Sequence, residues 1–108
     1  MKYLVCNLKA NKTKDELKSY EKEISKILTI PTIELIICPS LPFLYLFQSP
    51  SYSLGSQDVS MFEEGSYTGE TTANQLQSIN VKYALVGHSE RRKLLLENNK
   101  MIISKIKK

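Results

Sequence analysis

The apolar positions of this chain fall into four short runs, separated by amphipathic or polar stretches. Tyr3-Leu4-Val5-Cys6 is long enough for a buried strand and too short for a helix. A helix is predicted next, opened by a capping box in which Glu16 lies three residues after Thr13. Leu17, Tyr20, Ile24, Ile27 and Leu28 follow on one stripe of a 3.6-residue period, and Pro31 is the expected stop. The second run, Ile33-Glu-Leu-Ile-Ile-Cys38, is rich in β-branched residues and closed by Pro39. Leu41 to Phe47 is apolar but lies between prolines, which predicts a short helical turn. Tyr52 to Asp58 reads as a third, weaker strand, and Glu63 to Glu70 as a loop marked by Gly65 and Gly69. Thr72 and Gln75 form a second capping box for a short helix through Ile79, with Asn80 placed for a left-handed C-terminal cap. Tyr83-Ala-Leu-Val86 is the fourth run, and a last helix is expected from about Glu97 to the end.

Strands alternating with helices or long connections indicate βα units and a parallel sheet in one α/β domain over residues 1–108. Periodicity leaves open a small doubly wound sheet or part of a barrel. With 42% hydrophobic and 24% charged residues the composition is that of a soluble domain. No apolar run approaches a membrane span and no signal-peptide layout opens the chain, so the cytoplasm is the expected location. Cys6 and Cys38 each sit in an apolar run without CxxC spacing, which predicts reduced core thiols and no metal site.

Charge is unevenly distributed. Residues 1–90 carry 8 basic and 10 acidic side chains, whereas residues 91–108 carry 7 basic ones against Glu97 alone. The terminal lysines alternate with apolar residues at helical spacing, so they read as the solvated face of an amphipathic helix. No aromatic stacking residues accompany them, and a nucleic-acid partner is not expected.

Polar clusters follow three of the predicted strands: Asn7-Leu-Lys9-Ala-Asn11, Gln57-Asp58, and Gly87-His88-Ser89-Glu90-Arg91-Arg92. Ligand sites of parallel α/β folds lie at the carboxyl ends of strands. A lone lysine is usually a solvated charge and a lone histidine usually structural. A lysine, an asparagine, the only histidine and an acid–base pair converging on one rim instead suit a small anion undergoing proton transfer.

These segments resemble the triosephosphate isomerase family. Asn7-x-Lys9-x-Asn11 is similar to its first-strand Asn-Trp-Lys-x-Asn, and Gly55-Ser-Gln57-Asp58 to its Gly-Ala-Gln-Asn. Gly65-Ser-Tyr-Thr68-Gly69-Glu70 is similar to the interface loop Gly-Ala-Phe-Thr-Gly-Glu, and the Gly-His-Ser-Glu-Arg-Arg motif is present unchanged. The resemblance, in order and in register along essentially the whole chain, implies a (β/α)8 TIM barrel of which this chain supplies strands 1–4, a half barrel. It implies interconversion of dihydroxyacetone phosphate and glyceraldehyde 3-phosphate through an enediolate, with no metal or organic cofactor. Lys9 would neutralise substrate charge and Asn7 would bind substrate oxygens and hold Lys9. His88 would be the electrophile; in this family, a known case of tuned acidity, the histidine is a neutral imidazole and a glutamate is the base. Glu90 would orient the Lys9 ammonium, and Ser89 would cap the short helix carrying His88.

Thr68, Gln57, Glu70 and Arg91 would serve a homodimer interface, with Arg91 expected to pair with Glu70. Three departures stand out: Leu8 replaces the tryptophan, Asp58 an asparagine, and Leu96 the usual glycine before Glu97. The family's catalytic glutamate, lid and phosphate-gripping loops belong to later barrel units, so a missing C-terminal half is the expected partner and the isolated chain is expected to be inactive. A non-catalytic half barrel that binds a complete isomerase subunit is the alternative.

Overall fold

A computed structural model describes residues 1–27 and 29–108. Strands β1 (Lys2–Asn7), β2 (Ile33–Cys38), β3 (Ser53–Ser56) and β4 (Val81–Ala84) form one sheet in sequence order, every pair parallel. Helices α1 (Lys14–Ile24), α2 (Ala73–Ser78), α3 (Ser89–Leu94) and α4 (Asn99–Ile106), with a 3₁₀ helix over Leu41–Leu46, fill the connections. This is the half (β/α)8 barrel. No helix is long and apolar enough to cross a membrane among the described residues.

The period of two along each strand divides the side chains between two faces. Leu35, Ile37, Leu54 and Val81 point toward the helices, where they meet Leu17, Leu44, Phe47, Tyr52 and Leu76 in the main core. The capping boxes at both predicted positions begin helices whose single buried residues, Leu17 and Leu76, enter this core. Tyr52 closes its base: its ring meets Phe47 edge-on, its hydroxyl donates to Glu21 at 2.7 Å, and burial pushes that hydroxyl's pKa up.

The opposite, concave face carries Tyr3, Val5, Ile36, Cys38 and Tyr83 around a shallow apolar groove. Sheet curvature brings the two edge strands together across it, with the Tyr3 and Tyr83 rings 6.2 Å apart. At Gly55 the face has no room for a side chain, since a Cβ there would lie 2.6 Å from Cys38 Sγ and 3.1 Å from Ile36. Ile36 and Cys38 are thereby buried, while Tyr3 and Val5 remain 61% and 44% exposed. Cys6 and Cys38 are both free, and burial, with Cys6 nearby, pushes the Cys38 thiol up to about 11.

Several boundaries differ from the sequence expectation. α1 stops at Ile24 and not before Pro31, because the Ser25 hydroxyl turns back to the Lys22 carbonyl and the Ser25 carbonyl is taken by Ser51. Ile27 is consequently half exposed, and Leu28 lies outside the described residues. β4 begins at Val81, directly after the left-handed Asn80 (φ 65°), two residues before the apolar run. The last helix starts at Asn99 with Asn98 as its cap, two residues beyond Glu97. Its polarity also differs from the expected solvated lysine face: Lys105 is buried while Ile103 and Ile106 are exposed. Ion pairing at Lys105, beside the packing of Ile102, seats this helix.

Leu96, where the resemblance expects glycine, holds a left-handed φ of 55° with its side chain 80% exposed. The conformation costs a non-glycine residue on the order of 1–2 kcal/mol, and little burial offsets it. Leu96→Gly is therefore expected to stabilise the chain by about 1 kcal/mol, less any gain in unfolded-state entropy, read as a higher urea midpoint at unchanged slope. A lowered midpoint would mean that the leucine contacts outweigh the backbone cost.

Candidate active site

Lys9 lies two residues past the end of β1 with a left-handed φ of 56°. Such strain persists only where surrounding contacts over-determine it. Its N–H donates to Asn7 Oδ1 at 3.0 Å, and its carbonyl accepts from Ser40 Oγ at 3.0 Å and Gln57 Nε2 at 2.8 Å. The Gln57 amide also donates to the Cys38 carbonyl at 2.9 Å, so the tips of β1, β2 and β3 are tied by one side chain. From this backbone Lys9 Nζ reaches Glu90 Oε1 at 2.6 Å, linking the β1 tip to the segment after β4. The Lys9 hydrogen bond holds the Glu90 carboxyl below the usual glutamate range, against the opposing effect of desolvation.

His88 follows Gly87, whose φ of 72° turns the chain sharply out of the β4 connection. A Cβ at Gly87 would meet Ile102 of α4 at 2.9 Å, so the turn and that helix pack without space for a side chain. The expected capping role of Ser89 is corrected: His88 itself caps α3, its Nδ1 accepting the Glu90 N–H at 3.2 Å, and Ser89 is the first helical residue. The Glu90 carboxylate also lies 3.5 Å from Nδ1, but its shorter contact is with Lys9. Acceptance at Nδ1 leaves Nε2 to carry the hydrogen and to act as a donor.

Asn7, Lys9, Gln57, His88 and Glu90 line one cavity of about 270 Å³ at the carboxyl rim of the sheet, flanked by Leu94 and Leu95. The ammonium and the imidazole thus share one pocket. A cation, an imidazole and amide groups around a cavity of this size can bind a small anion and polarise a carbonyl.

The interface candidates divide. Gln57 points inward as described, whereas Thr68 and Glu70 lie on an exposed loop in which Tyr67 stacks on Phe62 at 4.0 Å. The expected Arg91–Glu70 pairing does not form within the chain. Arg91 instead binds Asp58 through Nη2 at 3.1 Å and Glu97 through Nε at 2.9 Å, because both acids lie beneath α3.

Glu97, Lys105 and Asp58 form a unit that no sequence motif announces. Lys105 Nζ bridges Glu97 at 2.6 Å and Asp58 at 2.7 Å, and the second Glu97 oxygen accepts the Gly87 N–H at 3.1 Å. The signals were present: Glu97 is the sole acid in a basic stretch, and Lys105 falls at i+3 and i+4 from Ile102 and Met101. Burial of Glu97 opposes ionisation, but hydrogen bonds and charge from Lys105 and Arg91 outweigh it and hold the carboxyl below its ordinary range.

A parallel half barrel of this topology belongs to the class of (β/α)8-barrel proteins. The triosephosphate isomerase family model matches residues 2–108. Among curated relatives, the triosephosphate isomerase of Dictyoglomus thermophilum is 37% identical over 111 positions, covering 98% of this chain and 45% of that protein. That of Candida albicans is 36% identical over 107 positions, covering 94% and 42%, and that of Hahella chejuensis 32% over 111, covering 99% and 45%. The chain belongs to the triosephosphate isomerase family, and spans somewhat less than half the length of these relatives.

Two predictions follow from the ion cluster. Lys105→Met leaves two carboxylates around one guanidinium and is expected to cost about 3 kcal/mol in urea unfolding; a loss below about 1 kcal/mol would mean that water replaces the ammonium. Because the Glu97 carboxyl is depressed when folded, its contribution is complete above its ordinary value of 4.5 and is lost as pH falls through the lower folded value. Thermal midpoints should therefore drop below about pH 4.5, and Glu97→Gln should flatten that acid limb. An equally steep limb in the variant would assign the drop to other carboxylates.

Proposed function

We propose that the chain is the N-terminal half of a triosephosphate isomerase, a cofactor-independent aldose–ketose isomerase acting on dihydroxyacetone phosphate and glyceraldehyde 3-phosphate. The observation that carries this reading is the shared cavity of Lys9 and His88, with Lys9 clamped in a strained backbone conformation. In the proposed reaction a base removes a carbon-bound proton beside the carbonyl while His88 Nε2–H donates to the carbonyl oxygen. Lys9 balances the enediolate and phosphate charge, and reprotonation at the neighbouring carbon yields the other triose. Asn7 orients Lys9 and a substrate oxygen, and Glu90 holds the ammonium at the rim.

The base and the phosphate-gripping loops belong to the half of the relatives that this chain does not span, so a complementary C-terminal half is its functional partner. Thr68, Gln57, Glu70 and Arg91 are assigned to the homodimer contact of the assembled enzyme, where Leu94 and Leu95, 78% and 59% exposed beside the cavity, offer apolar area for a neighbouring loop.

The test is complementation. The 108-residue chain is mixed with a separately produced C-terminal half of a related isomerase, and triose phosphate turnover is followed. Turnover is expected in the mixture and in neither part alone, and Lys9→Met should reduce it by at least about 10²–10³-fold, the scale of losing one preorganised charge-stabilising group. A complex that forms without turnover, or turnover indifferent to Lys9→Met, would favour the non-catalytic interaction role.

A further inference from the structure

The two adjacent residues at the carboxyl end of β3 serve opposite edges of the sheet. Gln57 donates to the Lys9 carbonyl on the β1 side. Asp58 reaches the β4 side, one carboxylate oxygen forming an ion pair with Arg91 Nη2 at 3.1 Å and the other accepting from Lys105 Nζ at 2.7 Å. Arg91 is in the first turn of α3, and its N–H bonds the His88 carbonyl at 2.9 Å, so the guanidinium and the imidazole ride on the same turn. We propose that Asp58 is a positioning residue for His88: acting through Arg91, it sets the imidazole against the lysine that the neighbouring Gln57 holds.

The carboxylate is required by count. Asp58 pairs with two cations at once, one through each oxygen, whereas an asparagine carries no charge, offers one acceptor oxygen and turns an NH₂ toward a cation. Lys105 is enclosed, its side chain 4% exposed, while Arg91 is 32% exposed. With an amide at position 58 the enclosed ammonium keeps the single acceptor, and the guanidinium, free to reach water, releases its tether. Glu97 alone then holds α3, and it contacts the Nε edge of Arg91 without spanning to β3.

Charge balance and tethering can be separated. Asp58 and Glu97 face Arg91 and Lys105, two acids against two bases. Asp58→Asn removes one charge and the tether together. Asp58→Ala with Lys105→Met restores the balance, one acid against one base, and leaves no acceptor at position 58 to rebuild the tether. The term positioning rests on the isomerase reading of His88, but the measurement does not, since it reads imidazole geometry without turnover.

His88 is the only histidine, so ¹⁵N-histidine NMR of the 108-residue chain reports it without ambiguity. The native chain is expected to show the wide Nδ1–Nε2 separation of one held tautomer. In Asp58→Asn that separation narrows toward the averaged value of a mobile imidazole and the unfolding midpoint falls. In the double variant the midpoint recovers while the narrowed separation remains. A wild-type-like His88 spectrum in Asp58→Asn, or its return in the double variant together with stability, overturns the proposal. If Asp58→Asn does not fold, the charge-balanced double variant decides alone: a narrowed separation upholds the positioning role and a native one overturns it. Loss of turnover in the complementation assay with these spectra unchanged would count against Asp58 only, leaving the isomerase reading intact.

Discussion

Four parallel strands that coil in one direction must deliver four carboxyl ends to the same rim, and everything chemical in this molecule depends on that constraint. Twist and curvature draw the first and last strands toward each other over the concave face, until Tyr3 meets Tyr83 and Lys9 meets Glu90. Within this face Cys38 and Ile36 pack against Gly55, where a side chain would not fit. Residues about eighty positions apart in sequence therefore share a cavity through sheet geometry alone. Antiparallel pairing of the same strands would have sent the lysine and the histidine to opposite ends.

Holding the rim in place falls to polar contacts, since loops after strands have little apolar area to bury. The strained Lys9 backbone is fixed by three hydrogen bonds from Asn7, Ser40 and Gln57, each from a different part of the chain. Beneath His88 the acids Asp58 and Glu97 and the bases Arg91 and Lys105 form a charge-balanced cluster that docks α4 against the turn. Buried pairs of this kind contribute modestly to net stability, because desolvation offsets much of the Coulomb attraction. They are costly to misalign, and so they specify position. At this rim they fix one arrangement of the Lys9 ammonium and the His88 imidazole.

The concave face gives the structure its unfinished character. Ile36 and Cys38 are covered by the curvature of the sheet, but Tyr3 and Val5 are not, and β1 and β4 are both edge strands. Inner faces of closed barrels are packed by side chains from alternate strands all around the ring. Here half of that ring is present, so the surface best adapted to burial faces outward. The same curvature that brings the lysine and the histidine together leaves this concave groove uncovered.

Local signals in the chain determined the parts made by local physics. Capping boxes at Thr13 and Thr72 began helices because their hydrogen bonds close within three residues. Pro39 closed the second strand, and Asn80 took the left-handed position where an asparagine is tolerated. The rim residues Asn7, Lys9, Glu90 and His88 were legible because they follow strands in family order. Tertiary structure alone decided the rest. Ser25 ended α1 early because Ser51, from a distant loop, took its carbonyl. The helical stripe of the C-terminal lysines was inverted at Lys105 because two acids from elsewhere in the chain, Asp58 and Glu97, neutralised its charge in the interior. Arg91 chose those acids over Glu70 for the same reason. Periodicity records how a helix would meet an apolar neighbour; it carries no record of which distant charge will be waiting there.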